Sequence, residues 1–372
     1  HYTGDITYWD VNSTTYPTNA STTSQGFWCI TRRGSGISQS IELYRDGVSI
    51  DSATSTSIGL SQYPFYYLAY NVNGTASYHS IDQFSAGSIG AALSDAEAAA
   101  LNTHIQDYMT SISAPSYDAD AQAYFDRTAS TISSTNKGYI NDLIVSLKAD
   151  GLWTKLDALY LLAQEHQNNA VINLKSSSYT ITEVSAPAWT QYEGYTGDNT
   201  ADYLNTNFTP STASGLFTQN DCHLSVYIRN NRTSGAAYVI CGTSGTSGGD
   251  TFIDPLFTGN LTYWDVNSTS YPNVAATTAR GFWCITRRAA SGTGSIELYR
   301  NGSSVQEFND TSAALSNQPI YLLAHNVNGT PTYHCPDQMA VATIGGTLLD
   351  AEVADLNTHI ETYMDALGKG IQ

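Results

Sequence analysis

The chain has 372 residues, 41% hydrophobic and 11% aromatic, so it can fill proper cores and is not a disordered polymer. Charged residues are only 13% and the net charge is −18, a balance that repels nucleic acid and anionic lipid and excludes both as general partners. No apolar run is long enough to span a membrane and no signal-peptide pattern opens the chain, which starts at His1 and so points to a processed or shortened N-terminus.

In chain order, residues 1–93 read as strands. Residues 6–11 alternate, and so do 27–33, with Phe27, Cys29 and Thr31 on one face and Trp28, Ile30 and Arg32 on the other. Residues 40–45 run into Asp46-Gly47, a type I′ hairpin signal, and further strands are expected over 65–70 and 81–89. Residues 94–112 switch to helical period. Ser94 and Glu97 form a capping box, and Ala98, Leu101, Ile105, Tyr108 and Ile112 make an apolar stripe. A linker at 113–116 leads to a helical segment over 118–174. Helices are predicted over 118–132, 136–150, 152–162 and 164–174. Strands resume near 188–192, 201–204, 222–229, 236–241 and 251–257.

The octapeptide at 26–33 then returns unchanged at 281–288. Residues 3–112 lie on 258–367 without a gap, and more than half of the positions are identical. Asn301-Gly302 replaces Asp46-Gly47 in the same turn, and Leu349 replaces Ser94, which leaves Asp350 to cap the second copy's helix alone. The chain is one and a half copies of one unit. The first copy holds only the last half of its strands, which cannot bury an apolar face alone. The missing strands are expected from upstream residues, with donation by a neighbouring subunit as the alternative.

Tyr192-Glu193-Gly194-Tyr195-Thr196-Gly197 with 202–206, the endings at 90–97 and 345–352, and the helical 118–127 and 147–153 resemble the concanavalin A-like, laminin-G-type domains of tailed-phage and prophage virion proteins. The resemblance covers nearly the whole chain. It implies a mainly β fold with a helical module: tandem jelly-roll β-sandwiches, each closed by a C-terminal helix. Residues 1–113 would be the C-terminal part of a first sandwich, 114–175 a helical module and 176–372 a second, complete sandwich. It also implies a virion surface or extracellular location, as a tail fibre, tail part or head decoration. The implied partners are other copies of itself, other virion proteins and possible host glycan.

Several chemistries lack their residues. A retaining glycosidase needs paired carboxylates, and the pattern Glu-x-Asp-x-x-Glu is absent, while Glu42 and Glu297 stand alone in their strands. No nucleophile–His motif, phosphate loop or CxxC occurs, so no enzyme is expected. No cofactor is called for. Calcium is common in laminin-G-type domains, but no Asp-rich loop of the right kind is present, and His79 with Asp82, or His334 with Asp337, supplies too few ligands. Residues 242–249 read as a flexible surface loop, and His104 and His359 as boundary histidines of the helix. Cys29 and Cys284 read as small buried apolar residues; a Cys222–Cys241 disulfide stays open.

The candidate binding residues are Tyr8, Asp10 and Asn12, repeated as Tyr263, Asp265 and Asn267. If Trp9 and Val11 face the core, these face out, and a ring beside an acid and an amide suits a sugar. The alternatives are cross-strand packing on a solvated face, a purely structural wall without a ligand, or a bacterial surface adhesin of the same fold. The loops at 71–75 and 326–330 are further candidates beside simple turn chemistry.

Overall fold

The computed structural model describes residues 5–372 other than 15, 22, 114, 115 and 247, so the expected linker falls largely outside the described residues. Packing divides the chain into two units, His1–Ser116 and Tyr117–Gln372. No described helix is long and apolar enough to cross a membrane.

The first unit pairs β1 (Ile6–Tyr8) with β2 (Thr18–Ala20). A three-stranded sheet follows, of β3 (Trp28–Arg32), β4 (Ile41–Arg45) and β5 (Val48–Ala53), then a hairpin of β6 (Tyr70–Val72) and β7 (Thr75–Ser77), then helix α1 (Asp95–Ser113). The β4–β5 turn at Asp46-Gly47 has φ of 52° and 79°, the left-handed pair a type I′ turn needs. Among the described residues, the core cluster of this unit is small: Trp9, Ile41 and Leu43 with a few half-buried neighbours. The strands expected over 65–70 and 81–89 are absent; β6 begins only at Tyr70. A strand is held by its ladder partners, and those partners are missing here.

The second unit opens with α2 (Ala119–Phe125) and α3 (Ser134–Ala149). Asp118 caps the first and Ser133 the second. Ile140, Leu143, Ile144 and Leu147 form the buried stripe of α3, and Gly151 at φ 73° ends it. The two helices expected over 152–174 do not form as such. Residues 152–155 make a single 3₁₀ turn, β8 (Leu156–Leu161) is a strand, and only α4 (Gln167–Ala170) is helical. The strands β9 (Thr182–Val184), β10 (Ala188–Thr190), β11 (Gly194–Thr196), β12 (Tyr203–Asn205), β13 (Cys222–Ile228), β14 (Cys241–Ser244) and β15 (Asp250–Phe257) precede the repeated block. That block holds β16 (Leu261–Ser268), β17 (Asn273–Ala275), β18 (Gly281–Arg287), β19 (Ile296–Arg300), β20 (Ser303–Phe308), β21 (Tyr321–Leu322), β22 (His325–Val327), β23 (Thr330–Thr332), β24 (Gln338–Gly345) and α5 (Asp350–Ala366).

These strands build two sheets. One runs β10-β11-β24-β13-β18-β19-β20, with β8 also on β24. The other runs β17-β16-β15-β14-β21-β12-β9, with β22 joined to β14 by a parallel contact and carrying β23. Leu224, Ile285 and Ile344 of the first sheet meet Ile253, Trp264 and Leu322 of the second in one shared core, which makes the unit a β-sandwich. The other face of the first sheet, through Tyr227, Phe282 and Val341, packs on Leu143 of α3 and Leu356 and Ile360 of α5. Burial on both faces explains why β13 and β18 are buried at every residue and do not show a clean alternation.

One polar cluster joins the sheet to α5. Arg288 lies 2.7 Å from both Glu297 and Asp350, and the Tyr299 hydroxyl, with one proton to share, lies 2.8 Å from Asp350 and 2.5 Å from Glu297. The first unit repeats it with Arg33, Glu42, Asp95 and Tyr44. Asp350 is thus engaged by Arg288 and Tyr299, and its carboxyl is held below the usual range by them. It does not cap α5 alone as expected: Glu352 reaches back to the Leu349 N–H at 2.7 Å. In α1 the expected box forms, with Glu97 accepting from the Ser94 N–H at 2.8 Å.

Cys222 and Cys241 are buried free thiols on different sheets, and burial pushes both thiols up; no described cysteine is bridged. Cys284 is buried as expected, but Cys29 is only half-buried. Gly242 lies inside β14, with no room for a Cβ beside Phe252, so the expected loop shrinks to the residues after Ser244. His359 pairs with Asp150 at 2.6 Å.

Candidate functional site

The outer face of the second sheet carries a continuous run of rings. Ile253 and Trp264 point into the core, so by alternation Phe252 and Tyr263 point out. Tyr271 lies 5.8 Å from Phe252, Phe252 lies 5.4 Å from His325, and His325 lies 6.4 Å from Tyr333. Tyr333 continues to Phe257 at 6.3 Å, and Phe257 to Tyr263 at 5.4 Å. Tyr271 is 44% exposed and Tyr333 49%, whereas Phe252 and His325 are 6% exposed and form the floor between them. Tyr203, Tyr321 and His334 add a second ring group, with the Tyr203 and Tyr321 rings 4.4 Å apart.

The floor is uncharged. His325 accepts or donates at Ser244 over 2.8 Å, and burial pulls its pKa down to about 4, so the ring is neutral in ordinary buffers. The Tyr271 hydroxyl donates to Asp250, which raises the phenol above its usual range together with burial as the larger cause. Hydroxyl and carboxylate acceptors beside exposed rings can meet sugar hydroxyls while CH groups stack on the rings.

The six predicted residues are not brought together as expected. In the second unit only Tyr263 reaches the surface. Asp265 and Asn267 are fully buried. Asp265 accepts from the N–H groups of Val266 at 2.8 Å, Ser270 at 3.1 Å and Tyr271 at 3.3 Å, and from the Ser268 hydroxyl. It therefore positions Tyr271 without facing solvent, and burial raises its carboxyl to about 6. Asn267 donates to the carbonyls of Thr218 and Gln219 and accepts from Thr251. The alternation was right for Trp264 and Val266, but residues 268–271 close over Asp265, and a bulge at Asn267 turns its amide inward to Cys222 of the core. In the first unit Tyr8 is 55% exposed, and Asp10, half-buried like Asn12, accepts from the Val11 N–H and the Ser13 hydroxyl.

Sequence reasoning missed Phe252, Phe257, Tyr271, His325 and Tyr333 as a group. The signal was the repeat itself: Tyr16, Tyr70 and Tyr78 stand at the positions of Tyr271, His325 and Tyr333. In the first unit Tyr70 bonds Tyr16, and the Tyr70 and Tyr78 rings are 6.5 Å apart. The other candidates are structural. Asp337 is fully buried against Arg232 at 2.9 Å, Asn326 closes its own turn on Gly329, and Glu297 sits in the anchor of α5. Among the described residues no three His, Cys, Asp or Glu side chains are grouped to hold a metal ion.

No protein-family model matches the chain, and no curated protein matches it. Solved structures are similar at a low level. The receptor-binding domain of botulinum neurotoxin D is 12% identical with a TM-score of 0.39, over 55% of this chain and 53% of that one. Domain 4 of AbnA, an extracellular arabinanase from Geobacillus stearothermophilus in complex with arabinotriose, is 15% identical with a TM-score of 0.39, over 55% of this chain and 98% of that one. A Trypanosoma rangeli sialidase mutant with trans-sialidase activity is 10% identical with a TM-score of 0.38, over 63% and 40%. The match spans about half the length of the toxin domain. At these scores the likenesses say nothing about a ligand of this chain.

Proposed function

We propose that this chain is a non-enzymatic glycan-binding protein displayed on a phage-like particle. It is built from tandem concanavalin A-like jelly-roll sandwiches, each ended by a helix, and works as a repeated subunit that attaches weakly and multivalently to host polysaccharide. The observation that carries the reading is the exposed ring face, whose key positions recur in both units. The enclosure of Glu297 by Arg288, Tyr299 and Ser304 supports a non-enzymatic role, because a carboxylate bound up in an ion pair is not free to act on a substrate. The phage-like particle rests on the sequence resemblance alone.

The test is binding of the full chain, immobilised at high density, to a panel of bacterial surface polysaccharides with and without calcium. Each of Tyr271→Ala and Tyr333→Ala removes one exposed ring, about 1 kcal/mol, or roughly fivefold in affinity. Binding that is absent at any display density, or that survives both substitutions unchanged, sinks the glycan reading and leaves the structural wall. Release of reducing sugar by the chain sinks the non-enzymatic part.

A further inference from the structure

The two copies share most of their sequence, yet equivalent apolar positions have opposite fates. Phe65 is 76% exposed and Ile89 67%, while their counterparts Ile320 and Ile344 are 0%. Tyr67, Leu68 and Phe84 are likewise exposed, and Leu322, Leu323 and Met339 are buried. Leu68 and Ile89 are the same residue types as Leu323 and Ile344, so sequence is not the cause. The cause is cover. Ile344 lies opposite Leu224 of β13 and Ala158 of β8, and Leu322 lies opposite Leu204 of β12 and Cys241 of β14. All four strands come from residues 117–257, and β3 also lacks the antiparallel neighbour that β13 gives β18.

We propose that residues 5–113 are an acceptor half completed by a donor segment built like residues 117–257. The repeat specifies the partner's chemistry. It is an apolar strand of the β13 kind that inserts between the 27–32 strand and residues 83–90, with helices covering the far face. Exchange between copies of residues 1–372 does not meet the need, because each copy carries two acceptor halves and one donor. Any donor lent to a first unit strips a second unit. This inference is independent of the glycan reading.

The experiment compares amide exchange in the full chain and in a full chain with an added copy of 117–257 joined directly to Thr3. In the unmodified chain, peptides covering 27–32 and 65–70 exchange fast while 282–287 and 320–325 are protected. In the extended chain the first pair slows by at least about tenfold toward the second pair, which reports burial and pairing of the strand. Ser225→Pro in the added copy removes a central ladder bond and returns the fast exchange. A second variant, in which residues 3–112 replace 258–367, offers the acceptor half to the existing donor and unfolds cooperatively. The proposal is overturned by slow exchange of 27–32 in the unmodified chain, whether monomeric or dimeric. It is also overturned by unchanged exchange after the extension, or by loss of cooperative unfolding in the second variant.

Discussion

Asp254 offers the sharpest test of burial on the outer side of β15. It is 1% exposed on β15, its Oδ2 has no hydrogen-bond partner, and its other oxygen accepts only a long 3.3 Å bond from the Leu256 N–H. Burial raises its carboxyl to about 9, partly opposed by Arg232 and reinforced by Asp337. The sign follows directly. The folded carboxyl holds its proton above the ordinary value of 3.8, so its contribution is complete below pH 4 and is lost as pH rises toward 9. Asp254→Asn keeps the shape and cannot ionise. The variant should match the wild type near pH 4 and gain on it by about 1.4 kcal/mol per pH unit above that, about 4 kcal/mol by pH 7. Relaxation of the site and the neighbouring Arg232 charge make this an upper figure, and a gain of about 2 kcal/mol still satisfies it. The assay is pulse proteolysis in urea from pH 4 to pH 8, scored on the fragment that spans the second unit. A stability difference that does not change with pH refutes the reasoning, and a variant that is less stable at pH 7 refutes it more strongly.

Other outcomes follow from the same packing. Arg288→Ala leaves Glu297 buried without its cation and should cost about 3–5 kcal/mol, whereas Asp350→Asn, at a largely exposed partner, should cost less than about 1 kcal/mol; urea midpoints of the second unit measure both. Gly194→Ala should destabilise by more than about 2 kcal/mol, since φ is +98° and a Cβ would lie 2.0 Å from the Met339 carbonyl oxygen. With a thiol reagent under native conditions, half-buried Cys29 should react first, and Cys222, Cys241, Cys284 and Cys335 only on unfolding; mass spectrometry of the labelled peptides reads the order.

The repeat made much of the fold legible. It marks the β4–β5 and β19–β20 turns and the helix near the end of each copy. What failed did so for tertiary reasons. Residues 156–161 carry Leu, Ala and Tyr, which suit a helix as well as a strand, and only the open edge of β24 decides between them. Asp265 has the right parity for the outer face, but the segment at 268–271 folds back over it, while Asn267, at φ 50° in a bulge of β16, turns inward to Gln219 and Cys222; no period of two contains either event. The ring face was invisible because Phe252 and His325 are far apart in the chain and meet only through β14. Tyr16, Tyr70 and Tyr78 echoed it, yet each looked like an isolated tyrosine until the register was known.

The repeat and the ring face together make an argument about strength. On the proposed glycan reading, the ring platform and neutral floor of the second unit give weak affinity, because stacking supplies about 1 kcal/mol per ring and no ion pair adds to it. On the same reading, duplication would raise avidity without any new contact, since the second binding event on one polymer becomes intramolecular at millimolar effective concentration. The substitution of Tyr70 by His325 at the centre of the face is then tolerable, because both side chains are flat and uncharged near neutral pH. A copy without a donor segment lacks the counterparts of Phe252 and Phe257, two rings of the platform. Glycan binding by the first unit should therefore appear together with the amide protection that the added 117–257 segment confers, and binding by that unit without such protection would separate the two proposals.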